Sequence, residues 1–126
     1  MKILIVDDSL LDRKLLSRTL VNAGVKNEIV QAENGEAALG IIAQHMGDLA
    51  LIFLDYQMPN MSGIELMDGL VKIPATAGIP MVMVTASASD ESKLAAYKIN
   101  PKLAGYVLKP FKLDILLATI KPYVQF

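Results

Sequence analysis

The chain has 126 residues, of which 53% are hydrophobic, and a formal net charge of −1. This length and apolar content are typical of one folded domain and exclude a disordered chain. The small net charge gives no electrostatic reason to bind nucleic acid or a membrane, and the absence of cysteine excludes disulfide and thiolate chemistry. The start of the chain is unlike a signal peptide, and no apolar run could span a bilayer, so we expect a cytoplasmic protein.

A strand followed by a helix is predicted first. Residues 3–6 form an apolar run that ends at the pair Asp7-Asp8. Ser9 with Asp12 three residues later is typical of a helix start, and Gly24 is well placed to end that helix. Its apolar side repeats at helical spacing through Leu11, Leu15, Leu16, Thr19, Leu20 and Ala23. The charged residues outside this stripe are expected in solvent: Arg13, Lys14 and Arg18.

The middle of the chain continues the alternation. Residues 28–32 predict a second strand, and residues 36–46 predict a second helix. The run 49–54 is entirely apolar, as in a strand buried on both faces of a parallel sheet, and it stops at Asp55. A third helix follows and is expected to end by Pro74, because the residue before a proline avoids helical geometry.

The last third of the chain predicts two more strands, each with a helix after it. The strand at 81–84 ends at Thr85, and the strand at 105–108 ends at Lys109. Ser87 is predicted to cap the fourth helix. The fifth helix has its apolar face at Leu113, Leu116, Leu117 and Ile120. Five strands alternating with five helices indicate one α/β domain over residues 1–126, with a parallel sheet covered on both faces.

Four of the predicted strands end at residues that can carry chemistry: Asp7, Asp8, Asp55, Thr85 and Lys109. The carboxyl edge of an open parallel sheet is where such folds bind ligands. Three carboxylates in one crevice repel one another, and oxygen donors favour a hard cation such as Mg²⁺, Mn²⁺ or Ca²⁺. A metal, a lysine and a hydroxyl around an aspartate could stabilise a phosphoryl group, and aspartate can itself accept one.

This set of residues, in this order on these strands, resembles the receiver domain of two-component response regulators over essentially the whole chain. The resemblance implies a flavodoxin-like fold with strand order 2-1-3-4-5. It implies that Asp55 is the phosphoacceptor, that Asp8 ligates Mg²⁺ directly, and that Asp7 assists through water. It further implies that the backbone carbonyl of Gln57 is a metal ligand and that Lys109 pairs with the phosphoryl group.

The resemblance also implies a switch. Thr85 would bond to the phosphoryl group and shift, and Tyr106 would turn inward as it does so. The Lys109-Pro110 bond would be cis. A sensor histidine kinase or phosphotransfer protein would supply the phosphoryl group. The surface of the fourth helix, fifth strand and fifth helix would change its affinity for an output protein whose identity the sequence does not give.

Two other functions remain open at this point. One is a Mg²⁺-dependent phosphohydrolase with an aspartate nucleophile, although such enzymes usually carry Asp-x-Asp after the first strand and this chain has Asp7-Asp8-Ser9. The other is an interaction module that keeps the fold without phosphorylation. The switch is preferred because every chemical position is filled, and we expect no turnover of an external substrate, no direct binding of nucleic acid and no membrane partner.

Overall fold

A computed structural model describes all 126 residues, Met1 to Phe126. The strands are β1 (Lys2–Val6), β2 (Ile29–Ala32), β3 (Leu49–Leu54), β4 (Met81–Thr85) and β5 (Gly105–Leu108). They form one sheet in the order β2-β1-β3-β4-β5, and every neighbouring pair is parallel. The predicted flavodoxin-like topology is therefore confirmed.

The helices number six rather than the predicted five. They are α1 (Leu10–Asn22), α2 (Gly35–His45), α3 (Gly63–Val71), α4 (Pro74–Ala77), α5 (Asp90–Ile99) and α6 (Leu113–Ile120), with a 3₁₀ turn at Met46–Asp48. The additional helix is the single turn α4, which Pro74 opens. Proline suits the first helical position because its missing N–H would have no partner there. None of the six could cross a lipid bilayer, since each is too short or too polar.

The core lies in two layers, one on each face of the sheet. Helices α2, α3 and α5 pack on one face, and α1 and α6 pack on the other. Successive residues of β1 and β3 alternate between the layers: Leu4, Val6, Ile52 and Leu54 face the first, and Ile3, Ile5, Leu51 and Phe53 face the second. Burial of both faces explains why β3 is apolar at all six positions.

Four helices begin at a polar cap whose side chain accepts a backbone N–H from the first turn: Ser9, Asn34, Ser62 and Ser89. The prediction that Ser87 caps the fourth helix is wrong, because that helix, α5, begins at Asp90 after Ser89. The backbone of Ser87 instead forms hydrogen bonds with Thr85 and Tyr106. Its N–H donates to Thr85 Oγ1 at 3.2 Å, and its carbonyl accepts from the Tyr106 hydroxyl at 2.8 Å.

The orientation of α1 also differs from the prediction. Leu11 and Leu15, expected in the core, are 76% and 54% exposed, whereas Arg13, expected in solvent, is only 9% exposed. Arg13 shares the inward side of the helix with Leu16 and Leu20. Its guanidinium donates to the Asp7 carbonyl oxygen at 2.6 Å and to Gln31 Oε1 at 3.2 Å, so the buried charge has hydrogen-bond partners.

Candidate phosphoacceptor site

The predicted carboxylates converge at the carboxyl edge of the sheet. Val6 and Leu54 are register partners in β1 and β3, so the residues that follow them, Asp7 and Asp55, emerge side by side. Carboxylate oxygens of Asp7, Asp8 and Asp55 all lie within 4.8 Å of one another. Asp8 is exposed, while the Asp55 side chain is only 12% exposed. These three residues therefore lie together, as the sequence predicted.

Lys109 reaches this cluster from the end of β5. Its ammonium Nζ lies 2.6 Å from Asp7 Oδ2, 2.9 Å from Asp12 Oδ2 and 3.5 Å from Asp55 Oδ2. Asp12 was predicted only as part of a helix start and not as a member of the site. The available signal was its position in the first turn of a helix that begins three residues after Asp7.

Burial and charge together shift the ionisation of the site. Burial, followed by the negative charge of Asp7, raises the pKa of Asp55 to about 6, although Lys109 and the backbone N–H of Gln57 act in the opposite direction. Burial alone would lower the pKa of Lys109. Hydrogen bonds from its ammonium to Asp7 and Asp12, together with the negative charges of Asp55 and Asp7, outweigh that effect and raise this pKa above its ordinary value. Lys109 therefore stays positively charged among the carboxylates.

The loop after β3 folds tightly against the phosphoacceptor candidate. A Cβ at Gly63 would collide with the backbone carbonyl oxygen of Asp55, so only glycine fits there. The Gly63 N–H donates to the Tyr56 carbonyl at 2.9 Å, and Asn60 adopts a positive φ of 69° within the same turn. Gln57 lies in this loop with its side chain exposed and its backbone N–H toward the Asp55 carboxylate.

Thr85 and Tyr106 are connected through the loop that follows β4. Thr85 is buried, and its hydroxyl accepts the Ser87 N–H. The half-buried Tyr106 ring packs against the core, and its hydroxyl donates to the Ser87 carbonyl. The backbone of Ser87 thus contacts both Thr85 at the end of β4 and Tyr106 on β5. This is a physical route by which a movement of Thr85 could reach Tyr106.

A crevice of about 370 Å³ opens beside the carboxylates, between α1 and the segment after β5. Its walls are mainly apolar and include Leu15, Pro110 and Phe111, while Asp7, Asp12, Asp55 and Lys109 supply its polar part. The Lys109-Pro110 peptide is cis, as the resemblance implied.

The donor set fits a hard divalent cation. Asp7, Asp8 and Asp55 offer only oxygen ligands, and Asp12 adds a fourth carboxylate to the site. Against these four the site has one ammonium, that of Lys109, which contacts Asp7, Asp12 and Asp55. Such an excess of negative charge in a half-buried crevice favours a bound cation, and carboxylate oxygens are the ligands that Mg²⁺ and Mn²⁺ prefer.

Comparison with known proteins agrees with this geometry. Residues 3–121 match the family profile described as "Response regulator receiver domain". The phosphate regulon transcriptional regulatory protein PhoB of Pseudomonas aeruginosa is 35% identical over 98% of this chain and 51% of its own length. The chemotaxis protein CheY of the same organism is 33% identical over 96% of this chain and 94% of its own. The chain therefore spans about half of the first relative and nearly all of the second.

Solved structures show the same relationship. The chemotaxis protein CheY4 of Vibrio cholerae is 30% identical, with a TM-score of 0.83 and 97% coverage of both chains. The Mn²⁺-bound form of response regulator Rcp1 is 25% identical, with a TM-score of 0.76 and coverage of 96% of this chain and 89% of that one. Given the fold, the acidic crevice and the match over nearly its whole length, this chain belongs to the receiver domain family of two-component response regulators, whose members are signalling switches rather than substrate-turnover enzymes.

Proposed function

We propose that residues 1–126 form one receiver domain that accepts a phosphoryl group on Asp55 from a sensor histidine kinase or a phosphotransfer protein in the cytoplasm. One observation carries the proposal. Asp55 lies at the carboxyl edge of the sheet with the acidic pair Asp7-Asp8 on one side and the ammonium of Lys109 3.5 Å away. This is a site that could both attract a cation and neutralise a phosphoryl group.

The proposed step is an in-line displacement at phosphorus. A carboxylate oxygen of Asp55 attacks the phosphorus of a phosphohistidine, and the phosphorus–nitrogen bond breaks as the phosphorus–oxygen bond forms. The imidazole nitrogen leaves with the electron pair and takes up a proton. Lys109, which stays positively charged, neutralises the added charge on the transferred group.

The proposed metal ligands are Asp8, Asp55 and the backbone carbonyl of Gln57, with Asp7 acting through water. A bound Mg²⁺ would neutralise charge on the phosphoryl oxygens. The Mn²⁺ found in the similar regulator Rcp1 and the all-oxygen donor set support a hard cation in this position. Because the carboxylates repel one another without a cation, we expect phosphorylation to depend on Mg²⁺.

The proposed output follows the hydrogen bonds of the loop after β4. A phosphoryl group on Asp55 would attract the Thr85 hydroxyl, which now accepts the Ser87 N–H, and the change in Ser87 would alter its bond with Tyr106. The surface of α5, β5 and α6 would then differ between the two states. An output partner responds only if it binds those states with different affinity. The phosphoryl group would be lost slowly by hydrolysis, with no external substrate turned over.

The test is phosphorylation by a small-molecule acyl phosphate in the presence of Mg²⁺, followed by intact-mass measurement and peptide mapping. We expect one phosphoryl group on Asp55, no modification in Asp55→Asn, and normal modification in Asp68→Asn, a partly exposed aspartate on α3. Modification that persists in Asp55→Asn, or an unmodified wild-type protein, would refute the proposal. Chemical-shift changes confined to the active-site edge, without any at Tyr106, would refute the switch while leaving the phosphoacceptor intact.

A further inference from the structure

Asp12 holds the ammonium of Lys109 more closely than Asp55 does. Its Oδ2 lies 2.9 Å from Nζ, compared with 3.5 Å for Asp55 Oδ2. The third partner, Asp7, is closest at 2.6 Å. An ammonium has three N–H donors, and in this arrangement its two shorter contacts both go to residues other than the phosphoacceptor candidate.

The hydrogen bonds at the start of α1 explain why the Asp12 carboxylate is free to bind Lys109. Ser9 Oγ accepts the Asp12 N–H at 3.2 Å, as in a capping box. In a complete capping box the Asp12 carboxylate would accept the Ser9 N–H in return. Here that N–H donates instead to Asp7 Oδ1 at 2.9 Å. The cap therefore fixes the backbone of the first turn and leaves the Asp12 carboxylate to bind Lys109.

We propose that Asp12 is a positioning residue that holds the Lys109 ammonium away from Asp55 and thereby weakens the hold of the site on a phosphoryl group. This inference rests on the proposed function of Asp55. It assigns to a residue of the first turn of α1 a role in setting how tightly and how long the phosphoryl group is retained.

The physical reason is competition for one cation. A phosphoryl group on Asp55 needs the positive charge of Lys109, and Asp12 attracts the same ammonium in a different direction. The carboxylate of Asp12 also adds negative charge beside the phosphoryl oxygens. Asp7 is nearly buried and is held by the Ser9 N–H as well, whereas the Asp12 side chain is 37% exposed and has Lys109 as its only hydrogen-bond partner. Of the two carboxylates closest to Lys109, Asp12 is therefore the one that can be removed with less disturbance of the site.

The experiment measures beryllofluoride binding and the lifetime of phosphorylated Asp55 at saturating Mg²⁺. In Asp12→Asn the side chain keeps its shape but loses its charge, so we expect about two- to fivefold tighter beryllofluoride binding and a longer lifetime, the range typical of one partly exposed charge pair. Asp12→Glu restores a carboxylate and is expected to behave like wild type. Asp114→Asn makes the same charge change in the first turn of α6 and is expected to have no effect.

A purely structural role for Asp12 predicts different results. Loss of the ion pair would then lower the thermal unfolding temperature of Asp12→Asn and leave beryllofluoride binding equal or weaker, and that outcome would overturn the inference. So would an Asp12→Glu variant that binds as tightly as Asp12→Asn. As a second readout, the side-chain NMR resonances of Lys109 should shift in unphosphorylated Asp12→Asn and not in Asp114→Asn. A wild-type protein that neither binds beryllofluoride nor is phosphorylated on Asp55 would refute the proposed function itself.

Discussion

Replacing Asp55 by asparagine should stabilise the metal-free protein, and the gain should depend on pH. The folded protein raises the pKa of this carboxyl from 3.8 to about 6, first through burial and then through the charge of Asp7. The ionised carboxylate therefore costs stability. The cost is fully present above the folded pKa, falls as the pH drops through 6, and is gone below the unfolded value of 3.8.

The magnitude follows from the size of that shift. A difference of about 2 pKa units corresponds to at most about 3 kcal/mol, since one unit is 1.36 kcal/mol. At pH 8 in EDTA we expect the free energy of unfolding of Asp55→Asn to exceed that of wild type by about 1–3 kcal/mol. For a chain of this length the larger value corresponds to an increase of about 10 °C in Tm. At pH 4 the two proteins should be nearly equal.

The assay is urea or thermal unfolding of both proteins from pH 4 to pH 8, with and without Mg²⁺. Asp48→Asn is the control of opposite sign, because the hydrogen bond and charge of Lys2 lower the pKa of Asp48. That variant should lose a little stability above pH 4 and none at lower pH. A gain in Asp55→Asn that is the same at pH 4 and pH 8, or no gain at all, would show that the carboxylate is not destabilised by its surroundings.

Three further substitutions test other parts of the site. Gly63→Ala should lower the free energy of unfolding by about 2 kcal/mol or more, because its Cβ meets a backbone carbonyl, whereas Gly40→Ala in open space on α2 should raise it by about 0.5–1 kcal/mol. Equal effects in urea unfolding would contradict the close approach. Arg13→Met should lower the free energy of unfolding by about 1–3 kcal/mol, because it leaves the Asp7 carbonyl oxygen without its hydrogen-bond donor. The exposed Lys14→Met should change it by less than about 0.5 kcal/mol. Similar values for the two variants would show that Arg13 is exposed to solvent. Mg²⁺ at about a hundred times its Kd should raise the free energy of unfolding of wild type by about 2.7 kcal/mol, and that of Asp8→Asn by much less. An equal increase in both proteins would exclude Asp8 as a metal ligand.

The sequence alone was sufficient for the order of the elements, apart from the single turn α4, and for the convergence of Asp7, Asp8, Asp55 and Lys109 at one edge of the sheet. An apolar run that stops at a charged residue marks the end of a buried strand, and such ends gather at one edge of a parallel sheet whatever the details of packing. Asp7, Asp55 and Lys109 could therefore be placed together in advance. The order of the strands was predicted only through the family resemblance, because alternation of strands and helices does not by itself say which strand pairs with which.

Only the tertiary structure decided how individual side chains are directed. The periodicity of α1 allowed more than one inward face, and packing of Leu16 and Leu20 against the sheet chose the one that buries Arg13 and exposes Leu11. The contact between Asp12 and Lys109 could not be predicted for the same reason. A capping pattern shows where a helix begins, but it does not show which hydrogen-bond donor other segments place near a carboxylate. Here the donor is Lys109, which is 97 residues from Asp12 in the sequence. Local patterns report backbone conformation, whereas charge pairing across the molecule is a consequence of packing.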